Sequence, residues 1–336
     1  MNQPPSTITM LLSRHTRRRE LIALISSSAV VFAWPIAARA ELQRVRRVGA
    51  LILGNADAQS FGAELREGLR ANGYIEGQNI EYAIRSADND ASKLPALAME
   101  LVAQKVDVLV ALYTPCALAA QKATREIPIV TLSGDPVRLG LVASLAKPGG
   151  NITGISLMAA ELHGKSIELL HDMPPSTRRV AVIANSADQF SILEAVRAAG
   201  QSTGIEIAPE ITVRTQDELD SALSTAKNEH AEAIVVQASL STQHLVNLLF
   251  KYRLPAATVT RSFAEVGGLM SYGVDGPDTF RRSAAFVHKI LQGTKPADLP
   301  VEQPTKFELV INLKTAKALD VKIAESVLLR AHKLIE

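Results

Sequence analysis

The chain alternates apolar runs of strand length with amphipathic runs of helix length, and it does so in two successive series. The first places strands at Val48–Leu53, Ile80–Arg85, Val106–Leu112, Ile127–Leu132 and Ile152–Leu157, with helical patterns over 60–72, 91–104 and 115–124 between them. The second runs helix 160–172, strand Val180–Ala184, helix 188–203, strand Ile205–Val213, helix 215–229, strand Ala233–Val236, helix 241–253 and strand Ala256–Val259. Strands separated by helices of about 10–15 residues require right-handed crossovers, and so predict an α/β fold with parallel sheets.

The second series echoes the first. Arg46-Arg47-Val48 opens a strand followed by Asn55-Ala56-Asp57, a helix with Glu64 and Arg66, and Gly73. Arg178-Arg179-Val180 opens one followed by Asn185-Ser186-Ala187-Asp188, a helix with Glu194 and Arg197, and Gly200. Two such units predict two similar lobes. Residues 41–154 and about 274–310 are assigned to the first lobe and 155–273 to the second. The turn-rich Lys147–Asn151 is the expected link and Gly267–Gly273 the expected return. A helix over 278–292, an extended stretch Phe307–Leu313 and a final helix near 322–335 follow, and the pattern leaves open which lobe receives the tail at 311–336.

Strand, loop, helix is also how a nucleotide-binding unit opens, but the loop Gly54–Ser60 reads GNADAQS. It matches neither G-x-G-x-x-G nor G-x-x-x-x-G-K-[ST]. The N-terminus points the same way. Arg14 and Arg17–Arg19 precede an uncharged run from Leu21 to Trp34 and the small-x-small triplet Ala38-Arg39-Ala40. That is the pattern of a secretory signal peptide over 1–40. Arg18-Arg19 followed by Glu20-Leu21-Ile22 also resembles a twin-arginine signal, so both export routes stay open. A periplasmic protein meets no maintained pool of ATP or NAD(P)H, and no cofactor is expected.

The single cysteine, Cys116, excludes an internal disulfide and a thiolate metal cluster. The whole chain has 36 basic and 34 acidic residues; the first 40 hold five arginines and one glutamate, leaving 31 against 33. With no basic run after Arg47, nucleic acid and anionic membranes are not expected partners. The histidines lie on helical patterns or in the signal segment without H-E-x-x-H spacing, so no metal site is expected, and no G-x-S-x-G elbow occurs.

Ligands of open parallel sheets bind beyond the carboxyl ends of the strands. In the first lobe those ends carry Asn55, Asp57, Tyr113, Thr114, Pro115, Ser133, Gly134 and Asp135. In the second they carry Asn185, Gln237, Ser239 and Arg261, and the return adds Tyr272 and Asp275. Aromatic residues make up 4% of the chain, yet Phe61, Tyr113, Phe190, Phe263 and Tyr272 all border these loops. They line a ligand or pack loops onto helices; Tyr113 and Tyr272 also carry hydroxyls that need partners. Thr114 before Pro115 reads as an N-cap followed by the first helical position, and such a helix end attracts anions. Arg261 suits a bidentate carboxylate contact or an ion pair with Glu265. Asp135 and Asp275 suit an ammonium or a turn cap.

The blocks GLRANGYIEGQNI, LPALAMELVAQKVDVLVA, DPVRLGLVASLAKPGGNITGIS, GGLMSYG and GTKPADLPVEQPTKFELVINLKTAKAL closely resemble the ABC-substrate-binding family of exported solute-binding proteins, the TrpX-like proteins. The likeness runs over nearly all of residues 46–336. It implies a type I periplasmic-binding-protein fold and no enzymatic activity. It also implies two lobes that close on a small solute and deliver it to an ABC permease and its ATPase; a monomer is expected. An amino acid, aromatic or branched, is the solute class implied, and Thr114, Pro115, Ser133–Asp135 and Tyr272 match the ligand loops. Cys116 and Gln237-Ala238-Ser239 depart from the common pattern and leave the solute open. A ligand-sensing module for a membrane receptor and an exported α/β hydrolase or racemase are the alternative readings. The exported form is expected to start at Glu41 in intact-mass measurement; a full-length membrane-embedded product would exclude cleavage after Ala40.

Overall fold

Five strands, all but β2 buried along most or all of their length, build the first sheet: β1 (Arg46–Ile52), β2 (Ile80–Ser86), β3 (Val108–Leu112), β4 (Ile129–Ser133) and β5 (Ile152–Ser156). They pair in the order β2-β1-β3-β4-β5, every pair parallel. Between them run α1 (Ala58–Ala71), α2 (Leu94–Ala103) and α3 (Thr114–Ala123). The computed structural model describes residues 44–336 except 55–56, 174–176 and 187–188, and leaves the side chains of 189–191 undescribed. The signal segment at 1–40 and Asn55 therefore lie outside the described residues.

The second sheet starts after α4 (Ala159–His171) with β6 (Arg179–Asn185), α5 (Gln189–Thr203), β7 (Glu206–Val213), α6 (Leu219–Asn228) and β8 (Ala233–Val236). It goes on with α7 (Gln243–Tyr252), β9 (Ala256–Thr258), α8 (Arg261–Glu265) and β10 (Met270–Val274). Its order β7-β6-β8-β9-β10 repeats that of the first sheet strand for strand. The two series in the sequence are thus two lobes of like topology.

Each lobe hands its last helix to the other. After β5 the chain leaves the first sheet at Leu157-Met158, and α4 packs on α5 of the second lobe. After β10 it returns as α9 (Gly276–Leu291), which packs on α1 of the first lobe. Lys147–Asn151, expected as the link, instead leads into β5 within the first lobe, where the Ile129 N–H donates to Asn151 O at 2.8 Å. The expected return Gly267–Gly273 is largely β10 itself.

The chain then adds β11 (Phe307–Asn312), α10 (Leu313–Leu319), α11 (Glu325–Leu328) and β12 (Lys333–Ile335). β11 pairs antiparallel with β10 and parallel with β12, so residues 307–310, expected in the first lobe, sit in the second sheet. The expected final helix over 322–335 is replaced by one short turn and an edge strand. The reason is pairing with β11: the His332 N–H donates to Leu309 O at 2.8 Å, and its Nδ1 accepts the Leu309 N–H at 3.1 Å, which holds the tail in register on β11.

Both faces of each sheet are covered. In the first lobe Phe61, Leu65 and Leu69 of α1 meet Phe280, Val287 and Ile290 of α9 over one face. Leu94 and Leu101 of α2 with Cys116 and Ala120 of α3 cover the other. Phe61 and Phe280 meet edge to face, ring centres 5.6 Å apart. Among the described residues no helix is long and apolar enough to cross a membrane.

The α1–α9 contact is what returns the chain to the first lobe, and it depends on Gly68. A Cβ there would sit 2.8 Å from Arg281 O and 2.6 Å from Ala284 Cβ. Gly68→Ala is expected to cost about 1–3 kcal/mol of stability through forced separation of the two helices. Gly62→Ala, in the same helix but with only the flexible Arg66 tip within 4 Å, is expected to be neutral or to stabilise by up to about 1 kcal/mol. Denaturant midpoints of the two variants check the pair.

Candidate functional site

Parallel strands end together, so the loops after β1, β3 and β4 of one lobe face those after β8 and β9 of the other. Between them lies a cavity of about 200 Å³. The first lobe contributes Asp57, Ser60, Tyr113, Thr114, Pro115 and Gly134. The second contributes Gln237, Ala238, Ser239 and the run Val259–Ser262 with Glu265. The two crossings and their helices supply Leu157, Ala159, Leu162, His163, Val274, Gly276, Pro277 and Phe280.

Tyr113 turns the chain from β3 into α3 with φ 71° and ψ 160°, a left-handed conformation that a side chain bearing a Cβ adopts at a cost. This turn directs its phenol to the loop after β1, where the hydroxyl donates to Asp57 Oδ2. Asp57 is 6% exposed. Burial pushes its carboxyl pKa up and outweighs the opposing effect of the Ser262 and Tyr113 hydroxyls; the charge of Glu265 adds to the rise. Ser262 faces this carboxylate from the opposite lobe, its Oγ buried without a hydrogen bond of ordinary geometry.

Thr114 corrects an expectation. Tyr113, not Thr114, occupies the N-cap position, and no side chain caps α3. Thr114 is the first helical residue, and its Oγ1 accepts the Gly134 N–H at 3.3 Å, tying the ends of β3 and β4 together. With its oxygen so engaged, its own hydrogen remains to be donated.

Of the other candidates, Pro115, Gly134, Gln237, Ser239 and Arg261 line the cavity as well. Ser239 Oγ is buried without a partner. The Arg261 guanidinium is held by Glu265 (Nε to Oε1, 2.8 Å) and Glu308 (Nη1 to Oε2, 3.1 Å), the ion pair among its two expected roles.

Ser133, Asp135, Asn185, Tyr272 and Asp275 do not line it. Ser133 ends β4 fully buried. Asp135 Oδ1 accepts the N–H groups of Val137 and Arg138, and Asp275 Oδ1 that of Asp278 at the start of α9, so both are turn caps. The Asn185 N–H donates to Gln237 Oε1, which positions a lining residue from behind. Tyr272 stacks on Phe307, ring centres 6.4 Å apart.

The histidine reading also needs correction at one position. His163 is not on a helix surface: it is fully buried where α4 meets β8, with Nδ1 2.6 Å from Ala159 O and Nε2 3.3 Å from Val236 O. Burial lowers its pKa, against the opposing effect of the two carbonyls it faces. Of the five loop aromatics only Tyr113 lines the cavity; Phe61 and Phe263 lie in the cores, and the side chain of Phe190 is outside the described residues. Phe280, Leu157, Leu162, Val259 and Val274, which form the apolar wall, were not anticipated. Their signal was present in the spacing of Leu162 and His163 after Ala159, and of Phe280 after Gly276, one turn into each exchanged helix.

Two lobes of like strand order, exchanging their last helices around a cavity at the strand ends, define the type I periplasmic-binding-protein class. Within it, this chain belongs to the ABC transporter substrate binding protein family, whose model matches residues 54–335. Members of that family bind solutes and are not enzymes. The chain is 28% identical over 263 residues to a tyrosine-binding protein of Clostridioides difficile (strain R20291), covering 76% of this chain and 74% of the relative. A conserved domain protein of Vibrio cholerae superimposes with a TM-score of 0.79 at 28% identity, over 86% of this chain and 99% of that one. The ABC domain of Streptococcus pneumonia in complex with L-Trp superimposes with 0.78 at 26% identity, over 87% and 100%.

The raised Asp57 pKa has a signed consequence. Its unfolded-state value is about 3.9, so as pH rises from there toward the folded value the native state holds more protons than the unfolded one. Stability of the unliganded protein then falls with pH in that window. Asp57→Asn, which keeps an acceptor for Tyr113, is expected to remove that fall and to raise the neutral-pH melting temperature. Melting curves of parent and variant across the acidic to neutral range check this; parallel curves would show that the buried carboxyl is not the cause.

Proposed function

We propose that this protein is the exported solute-binding component of an ABC importer. In this reading it holds one amino acid between its lobes, closes over it as a monomer in the periplasm, and delivers it to a membrane permease with a partner ATPase. The observation that carries the reading is the pairing, in one small cavity, of polar groups of both characters with an apolar wall. Thr114 has a hydroxyl hydrogen to donate, and it opens a ten-residue helix whose first-turn N–H groups favour an anion. Asp57 faces the same space as an acid, suited to an ammonium.

Leu157, Leu162, Val259, Val274 and Phe280 form the apolar wall that a hydrophobic side chain would cover. The volume, about 200 Å³, lies under the roughly 300–1,000 Å³ of sites for drug-sized ligands, and so suits a single small metabolite. The relatives support the same class, since one is a tyrosine-binding protein and another was solved with L-Trp.

In this reading Thr114 and the start of α3 receive the solute carboxylate. Thr114→Val is expected to cost about 1–3 kcal/mol of stability, because the Gly134 N–H loses its acceptor. It is also expected to weaken binding by about 10- to 100-fold, the loss of a hydrogen bond to a charged group. Thr114→Ser restores both. Thermal-shift screening of amino acids, small carboxylates and sugars finds the solute, and calorimetry measures the variants. Binding confined to sugars, or full affinity in Thr114→Val, would overturn the assignment.

A further inference from the structure

The geometry points to Asp57 as the specificity-determining residue of the cleft, one that makes tight binding conditional on a cationic amine in the solute. This deepens the amino-acid reading above and rests on it. Three observations carry it.

The first is position. Asp57 belongs to the first lobe, while Ser262, Arg261 and Glu265 belong to α8 of the second, and all four line one cavity. Asp57 is 6% exposed, so bringing the lobes together takes its carboxyl group out of water.

The second is the charge inventory around it. From the β3–α3 turn the Tyr113 hydroxyl donates to Asp57. From α8 it faces Ser262 and the charge of Glu265. The cations nearby are already engaged. Arg261 serves Glu265 and Glu308, and its charge is also felt by Asp275; the Lys333 ammonium lies 2.9 Å from Glu265 Oε1. His163, on α4, is turned to backbone carbonyls, and burial lowers its pKa. Among the described residues no Lys, Arg or His donates to Asp57. Four carboxylates (Asp57, Glu265, Glu308 and Asp275) therefore stand against two cations: Glu265 and Glu308 are ion-paired, Asp275 caps α9, and Asp57 lines the cavity with no cation against it.

The third is that hydroxyls of the same cavity have hydrogen-bonding capacity left. Ser239, 2% exposed, lines it with a buried Oγ that makes no hydrogen bond, and the buried Ser262 Oγ faces Asp57 without a hydrogen bond of ordinary geometry. The wall is built to be completed by a polar group from outside the chain.

A buried carboxyl without a counter-charge is tolerated in two ways: it takes a proton, or a cation is placed against it. Burial shifts Asp57 toward the first of these. A solute R–NH₃⁺ replaces the proton: the Asp57 O–H bond breaks, the proton leaves to solvent, and the carboxylate accepts an N–H from the ammonium. An analogue with the same carboxylate and side chain but hydrogen in place of the amine has nothing to displace that proton. It loses the charge-assisted contact and is rejected.

The test pairs each amino acid with its deaminated analogue: L-phenylalanine with 3-phenylpropanoate, L-tyrosine with 3-(4-hydroxyphenyl)propanoate, and L-tryptophan with indole-3-propanoate. Calorimetry on the full exported chain is expected to give the amino acid about 10- to 100-fold the affinity of its analogue. In Asp57→Asn the amino acid should lose most of that advantage while the analogue binds as well as before or better. In the parent, titrations in buffers of different ionisation enthalpy should show proton release with the amino acid and none with the analogue. Amino-acid affinity should also fall as pH is lowered through the raised pKa of the empty site. If no amino acid binds the parent, the amino-acid reading falls and this inference with it. Equal affinity of amino acid and analogue in the parent, or undiminished discrimination in Asp57→Asn, would overturn this inference alone. Binding of the amino acid without proton release and independent of pH would likewise overturn it, with no variant needed.

Discussion

The exchange of the last helix between lobes is the constraint on which the rest of the structure depends. A parallel sheet gathers the loops after its strands at one end, but two separate sheets have no reason to present those ends to each other. Here β5 leads straight into α4, which packs on α5 of the second lobe, and β10 leads into α9, which packs on α1 of the first. Each lobe completes its core with a helix that follows the fifth strand of the other. The first turns of both exchanged helices, at Ala159–His163 and Gly276–Phe280, are walls of the cavity for that reason. The close approach of α9 to α1 at Gly68 belongs to the same arrangement, because it leaves no room for a Cβ.

On this frame the site assembles groups that no single lobe holds. Tyr113 is forced into a left-handed turn, and the consequence is a phenol delivered across two strand ends to Asp57. Thr114 then begins α3 with its oxygen on the Gly134 N–H, so the ends of β3 and β4 form one rigid surface. From the other side come α8, with Arg261 and Glu265 locked in an ion pair, and a row of hydroxyls. Backbone strain at Tyr113 and a desolvated carboxyl at Asp57 are two costs located at one spot, as expected where a fold stores function rather than stability.

These costs bear on how a binding protein of this class differs from a simple cleft. A site of matched internal charges would close as well empty as full, and its affinity would rest on contact area alone. In the proposed reading, a carboxyl without a counter-ion would link closure to the chemistry of the solute, since burial of an unpaired charge is among the larger penalties a fold can carry. The apolar wall of Leu157, Leu162, Val259, Val274 and Phe280 then supplies contact area without adding further charge.

The sequence by itself determined the βα alternation, the duplication and the strand ends, because each rests on apolar periodicity over short stretches. It also singled out Asp57, Tyr113, Thr114, Gln237, Ser239 and Arg261, since loops at strand ends form the site in any parallel sheet. What it left undetermined is where tertiary packing chooses. Asp135 and Asp275 hold a short acidic side chain before a proline or a glycine, and local turn bonds claim both. Ser133, Asn185 and Tyr272 stand on or beside the expected strand ends, but side chains alternate across a sheet and only the finished stack says which face meets the cleft. His163 shows the same limit on a helix: its phase points inward because α4 is covered by β8, an element more than 70 residues away in the chain. The tail over 322–335 reads as helical in isolation and becomes an edge strand because β11 offers it an unpaired row of backbone groups. Periodicity fixes an element and its ends; which face is buried, and against what, is decided by partners distant in sequence.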